Sequence, residues 1–123
     1  MSDTLTHPTV VAPIAEERRV VTAIPGPLSA AMHERRKHVV PPGVGAALPV
    51  YIDRAHGSIL VDIDGNHFID LAAGIGVNTI GSTNDAVVAA IAAQAANVIH
   101  TCFTVTPYEG YIRVAEILVQ RTP

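Results

Sequence analysis

Tryptophan is missing altogether, and aromatic residues make up only 4% of the chain. An interior must therefore be built from Ala, Val, Ile and Leu. Such side chains bury little area each, so the 49% hydrophobic content overstates the core they can make. Lysine occurs once, at Lys37. Chemistry that needs a desolvated lysine as a Schiff-base nucleophile has only that residue to use. It stands in the run Arg35-Arg36-Lys37, flanked by His33 and His38, which reads as a solvated helix face. Cysteine also occurs once, at Cys102, which excludes a disulfide framework within the chain and favours a cytoplasmic setting. Charged residues are 15% and the net charge is −3, which gives no electrostatic footprint for nucleic acid. The N-terminus has no basic start followed by an apolar segment, so it does not read as a signal peptide. The longest apolar run, residues 86–99, is interrupted by Gln94 and Asn97 and is too short to span a bilayer core of about 30 Å. A soluble protein without a membrane partner is expected.

Motifs for metal and phosphate fail in detail. His33-Glu34 begins like H-E-x-x-H, but position 37 is Lys, so no metal site is assigned. Gly74-Ile75-Gly76 begins like G-x-G-x-x-G, but position 79 is Thr. Cys102, near His100, is read as a buried, inert thiol rather than half of a thiolate pair. Asp62, Asp64 and Asp70 are assigned turn and edge roles rather than acid–base work.

With 123 residues the chain is long enough for one domain. Residues 1–24 show neither helical nor strand period and read as a flexible or loosely attached arm. A short helix is predicted over 28–39, with Ser29 as a candidate cap. Prolines and glycines break residues 40–49. Three β-rich runs follow, at 50–53, 58–63 and 67–71. His56-Gly57 joins the first two, and Asp64-Gly65-Asn66 joins the second pair, so an antiparallel meander is expected. Residues 72–84 read as a glycine-punctuated loop. A helix is predicted from Asp85 to about residue 100, with an apolar stripe through Val87, Val88, Ile91, Ala95 and Val98. Thr106 and Glu109 have the spacing of a capping box, with Pro107 at the first helical position of a last helix. Tyr111, Val114, Ala115 and Leu118 then share one apolar face. The fold class is α/β overall and α+β in local character.

Three runs together carry a resemblance. They are ILVDIDGNHFIDLAAGIGVNTIG (59–81), the helix after it, and HTCFTVTPYEGYIRVAEIL (100–118). They resemble the N-terminal region of the class III pyridoxal-phosphate-dependent aminotransferases, and are most similar to the 4-aminobutyrate branch of that class. The pattern D-x-D-G-x-x-[FY]-[IL]-D-[LF]-x-[AS]-G-I-[AG]-V is specific in this combination, and H-T-x-F followed by P-Y-E-x-Y narrows it. The resemblance covers residues 25–123. It implies the N-terminal, small-domain part of a fold type I transferase that stops before the large cofactor-binding domain.

The implied parent reaction moves the amino group of 4-aminobutyrate, or a similar omega-amino acid, to 2-oxoglutarate with pyridoxal 5′-phosphate. The resemblance assigns no catalytic residue to this chain. It implies substrate contact for Ile75, and cofactor contact for Thr104 and Asn78, where relatives can carry Gln at the Thr104 position. Plain core and loop packing explains Ile75 and Thr104 equally well on the sequence. A homo-oligomer interface, of the dimer kind, is also implied. The family commonly has G-H-x-H-P where this chain has Gly81-Ser82-Thr83-Asn84-Asp85, so local loop geometry should differ. Two other readings stay open: a non-catalytic interaction module, and a truncated gene product without independent function.

Overall fold

A computed structural model describes residues 13–123, so the first twelve residues of the expected arm lie outside the described residues. The chain divides after Asn84 into two compact units, and each is described by itself.

The first unit contains helix α1 (Pro27–Val39), strands β1 (Ile52–His56), β2 (Ile59–Asp62) and β3 (His67–Ile69), and a short turn of helix, α2 (Ala73–Gly76). The strands form the expected antiparallel meander in the order β1-β2-β3. The β1 strand lies later than predicted. Gly57, with φ +55°, makes the tight turn that pairs His56 with Ile59, and a bulge between Ile52 and Arg54 shifts the register upstream. The last run ends at Ile69 rather than Leu71, because Asp70 turns the backbone away. Ile59 and Val61 alternate onto one face and are each 3% exposed, the only buried hydrophobic side chains among the described residues.

The rest of that interior is polar: Ser29, Asp62, Asn66 and His67. Burying such groups is tolerable only when they are hydrogen-bonded. Asp62 meets that demand at the β2–β3 turn. Its Oδ1 accepts the N–H groups of Asp64 (3.0 Å) and Asn66 (2.8 Å), and its Oδ2 accepts Asn66 Nδ2 (2.8 Å). Gly65, at φ +84°, supplies the left-handed residue the turn requires. Asn66 then reaches the N-terminal segment. Its Oδ1 accepts the N–H groups of Val21 (2.8 Å) and Thr22 (3.0 Å), and its Nδ2 donates to Thr22 Oγ1 (2.8 Å). Arg19 and His67 exchange backbone hydrogen bonds at 3.2 and 2.7 Å. Residues 19–22 of the segment read as a loosely attached arm are thus fastened to the edge of β3 and to its turn.

Asp64, on the same turn, holds α1. Its two carboxylate oxygens accept the N–H groups of Leu28 (2.7 Å) and Ser29 (2.8 Å). The cap expected from Ser29 is therefore corrected. The helix starts at Pro27, the N-cap residue is Gly26, which has no side chain to offer, and a remote carboxylate satisfies the first donors. Ser29 is instead fully buried, and its Oγ accepts the N–H of Tyr51 at 3.4 Å.

Desolvation pushes the Asp64 pKa up, but hydrogen bonds from the Ser29 side chain and the Leu28 and Ser29 backbone outweigh it and hold the carboxyl below its ordinary value. A carboxyl depressed on folding adds stability above its unfolded pKa and loses it as pH falls through the folded one. The anchoring of α1 should therefore weaken on acidification from just above the ordinary aspartate range to below it. Helical circular dichroism followed on acid titration should show this step, and Asp64→Asn should flatten it.

In the second unit, α3 (Asp85–Asn97) and α4 (Glu109–Arg121) are joined by residues 98–108. Neither helix has a buried residue, and the predicted stripe residues Val87, Val88 and Ile91 are all exposed. The predicted capping box does not form. Helix α4 begins at Glu109 behind Tyr108, whose φ and ψ are extended, with no side-chain cap. Thr106 is taken up elsewhere: Thr106 Oγ1 donates to the Thr101 carbonyl (2.9 Å), while Thr101 Oγ1 donates to the Thr106 carbonyl (2.6 Å). That reciprocal pair closes the loop and removes the hydroxyl from the helix end. Among the described residues, no helix is long and apolar enough to cross a membrane.

Candidate functional site

Asp70 opens the loop that carries two of the three assigned residues. Its Oδ1 accepts the N–H groups of Ala72 (3.1 Å) and Ala73 (2.8 Å). The next four residues all have positive φ: Ala73 +46°, Gly74 +63°, Ile75 +62° and Gly76 +76°. Element α2 is therefore one left-handed turn, closed by Gly76 N–H to the Ala72 carbonyl (3.0 Å) and by Val77 and Asn78 N–H to the Ala73 carbonyl (both 2.9 Å). Glycine adopts this region freely, but an L-residue is disfavoured there by about 1–2 kcal/mol. For β-branched Ile75 the conformation is a genuine outlier. Nothing is gained in return by burial, since Ile75 is 95% exposed. Strained backbone of this kind clusters where a side chain must be presented.

Asn78 follows the turn and is exposed; its carbonyl accepts Gly81 N–H at 2.9 Å. The loop returns to the meander through Ser82, whose backbone exchanges hydrogen bonds with Gly57 at 3.0 and 2.8 Å. Thr83 Oγ1 donates to the Ala55 carbonyl at 2.7 Å and lies 3.3 Å from His56 Nδ1. These contacts give the loop geometry where Gly81-Ser82-Thr83 departs from G-H-x-H-P. Ile75 and Asn78 are thus brought onto one exposed loop. Thr104 belongs to the second unit and is placed within that unit alone.

Thr104 is exposed, with its hydroxyl 3.3 Å from Cys102 Sγ. The reading of Cys102 as buried is corrected. It is exposed, because it occupies a positive-φ turn position (+55°) whose carbonyl accepts the Val105 (2.8 Å) and Thr106 (3.1 Å) N–H groups. Its neighbour His100 uses Nε2 to accept the Cys102 backbone N–H (3.2 Å). Phe103 stacks on Tyr111 (4.3 Å between centroids) and meets Tyr108 edge-on (5.6 Å), packing this loop onto the first turn of α4.

The three aspartates serve backbone N–H groups, as expected of turn residues. Lys37 lies on the exposed face of α1, with Nζ 2.6 Å from Glu34 Oε1. The hydrogen bond from Lys37, together with its charge, holds the Glu34 carboxyl below its ordinary value. A lysine paired in water is not placed as a covalent anchor. Among the described residues, no group of three or more potential metal ligands gathers. The side chains present do not fit a complete holder for pyridoxal phosphate, because Thr104 brings one hydroxyl and the only lysine is committed elsewhere. Sequence reasoning assigned Asp70 a turn role without linking it to the 73–76 loop, and missed Asn66 as an organiser. The available signal was their position: an Asp immediately before a glycine-rich loop, and an Asn at the end of a D-x-D-G turn.

The family model described as aminotransferase class-III matches residues 40–123. The chain is 52% identical over 113 residues to a 4-aminobutyrate aminotransferase of Mycobacterium tuberculosis, covering 92% of this chain and 25% of that protein. It is 42% identical over 90 residues to a 5-aminovalerate aminotransferase of Pseudomonas aeruginosa, covering 73% and 21%. The crystal structure of an omega-transaminase from Sphaerobacter thermophilus superimposes with a TM-score of 0.71 at 28% identity, over 80% of this chain and 23% of that one. The chain spans about a quarter of the length of the curated relatives it matches.

Proposed function

The chain belongs to the class III aminotransferases, a pyridoxal-phosphate-dependent family, and from that premise we propose that it acts as the N-terminal segment of an enzyme transferring the amino group of 4-aminobutyrate, or a closely similar omega-amino acid, to 2-oxoglutarate. The observation that carries this reading is the 52% identity to a 4-aminobutyrate aminotransferase across nearly the whole chain. The relative acting on 5-aminovalerate, one methylene longer, supports a donor with a terminal amine on a short carbon chain. An exposed, apolar Ile75 suits contact with such a chain, which offers methylenes and no side group. Thr104 is proposed to donate its hydroxyl to the cofactor phosphate, and Asn78 to contact the cofactor from its own loop. The cofactor supplies the electron sink; this chain's residues bind and orient. Residues 25–123 form part of the small domain, contribute to an interface with a second copy, and work in the cytoplasm. The chain alone is inactive, because Lys37 is ion-paired on a surface helix.

A chimera tests this. When this chain replaces the matching quarter of the Mycobacterium tuberculosis enzyme, the hybrid should transaminate 4-aminobutyrate with 2-oxoglutarate. Ile75→Ser in that hybrid should raise KM for the donor several-fold, with a smaller change in kcat. The isolated chain mixed with pyridoxal phosphate should give no turnover and no pH-dependent visible band. A band that Lys37→Ala abolishes would overturn the inactivity claim, and a well-folded hybrid without activity would overturn the assignment.

A further inference from the structure

We propose that Asp70 is a positioning residue: its carboxylate holds the left-handed turn 73–76 and thereby sets the direction in which Ile75 is presented. The functional part of this inference rests on the proposed substrate contact of Ile75; the structural part does not.

Turn α2 has no support from burial. Leu71 is 93%, Ile75 95% and Val77 77% exposed, so packing does not select the left-handed form. Two of its four positive-φ residues, Ala73 and Ile75, are not glycine, and a turn left to its own propensity would leave that region. The bonds internal to the turn do not decide its hand, because a 5→1 pattern closes in either sense. What remains is the entry. Asp70 Oδ1 accepts two successive N–H groups, those of Ala72 and Ala73, and fixes the peptide plane from which the left-handed run departs. Hydrogen bonds to a charged acceptor are the strong ones, and these two oppose the preference of Ala73 and Ile75 for negative φ. Asp70 is itself tied to the meander, since its own N–H donates to the Ser58 carbonyl at 2.8 Å. The carboxylate therefore transfers the fixed frame of the sheet to an otherwise unsupported loop. A remote change at Asp70 should rotate Ile75 without touching anything that Ile75 touches.

The test is nuclear magnetic resonance on the 123-residue chain. A positive φ brings a residue's own amide and α protons together, so Ile75 should give a strong intraresidue HN–Hα Overhauser effect. Asp70→Ala should weaken that effect at Ala73 and Ile75, while the cross-strand contacts of Ile59 with Ile69 persist. Asp70→Asn, which keeps the Oδ1 acceptor, should restore it. The proposal is overturned if Asp70→Ala leaves the Ile75 signature intact, if Asp70→Asn fails to rescue it, or if Asp70→Ala abolishes the sheet contacts as well. That last result would mean Asp70 serves the sheet rather than the turn. None of these outcomes depends on substrate. An intact Asp70 effect with no KM change for Ile75→Ser in the chimera would reject the substrate contact and leave the positioning role standing.

Discussion

Asn66→Ala should cost about 2–4 kcal/mol and detach the N-terminal segment from the sheet. Asn66 is fully buried, and its side chain makes four hydrogen bonds. Removing it deprives the N–H groups of Val21 and Thr22 of their acceptor. It also takes from Asp62, 2% exposed, the one side-chain donor on Oδ2. A buried acceptor or donor left unpaired costs about 1–3 kcal/mol, and a charged one more. Water can reach the part-buried amides of Val21 and Thr22 but reaches Asp62 poorly, so most of the cost should fall on the turn. Asn66→Asp should be no milder. It keeps the acceptor for residues 21 and 22 but sets a second carboxylate against Asp62 at a separation near the present 2.8 Å. Urea denaturation measures the loss. Hydrogen exchange should show Arg19, Val21 and Thr22 losing protection before the β1–β2 pairs do. A change under about 0.5 kcal/mol, the scale of an ordinary surface substitution, would refute the role given to Asn66.

The D-x-D-G turn shows what is legible in the sequence and what is not. Asp64-Gly65 announces a hairpin, because one short polar residue and one glycine accept the backbone the turn needs, and the strands lie on either side of it. Helix α1 is equally plain from the run 28–39, although its start at Pro27 reads as punctuation in the sequence. The partners of the turn side chains are not legible. Asp64 caps a helix 35 residues upstream, and Asn66 binds residues 44 and 45 positions away. Local pattern carries no information about such distances. The same limit explains the failed capping box. Thr106 and Glu109 have the right spacing, but Thr101 offers the hydroxyl a carbonyl in a closed loop, and that partner wins. For the site, the glycines of 74–76 signal an unusual backbone. That an Ile shares their left-handed conformation follows only once Asp70 is seen to fasten the entry.

The other end of that loop is fastened by backbone, and Gly81→Ala should weaken it at a cost of about 2–3 kcal/mol. Gly81 has φ +88°, and a Cβ there would lie 3.0 Å from Gly57 Cα, 3.2 Å from its carbonyl oxygen and 3.3 Å from its carbonyl carbon. All three atoms are main chain, so no side chain can swing aside. Gly57 is itself held at φ +55° in the β1–β2 turn and cannot retreat without disturbing the pairing of His56 with Ile59. The added methyl must therefore push the loop outward by a few tenths of an ångström, which stretches both Gly57–Ser82 hydrogen bonds and the Thr83 to Ala55 bond. Gly43→Ala is the matched control, since a Cβ at Gly43 meets nothing within 4 Å. It should be neutral, or slightly stabilising through the unfolded chain. Exchange protection at Gly57 and Ser82 should fall in the Gly81 variant, while the Asp64-held start of α1 keeps its own. With the return of the loop loosened and Asp70 intact, Ile75 should keep its positive φ on a turn that is now firmly anchored at one end only. Equal stability of the Gly81 and Gly43 variants would show that the close approach of the two glycines holds nothing.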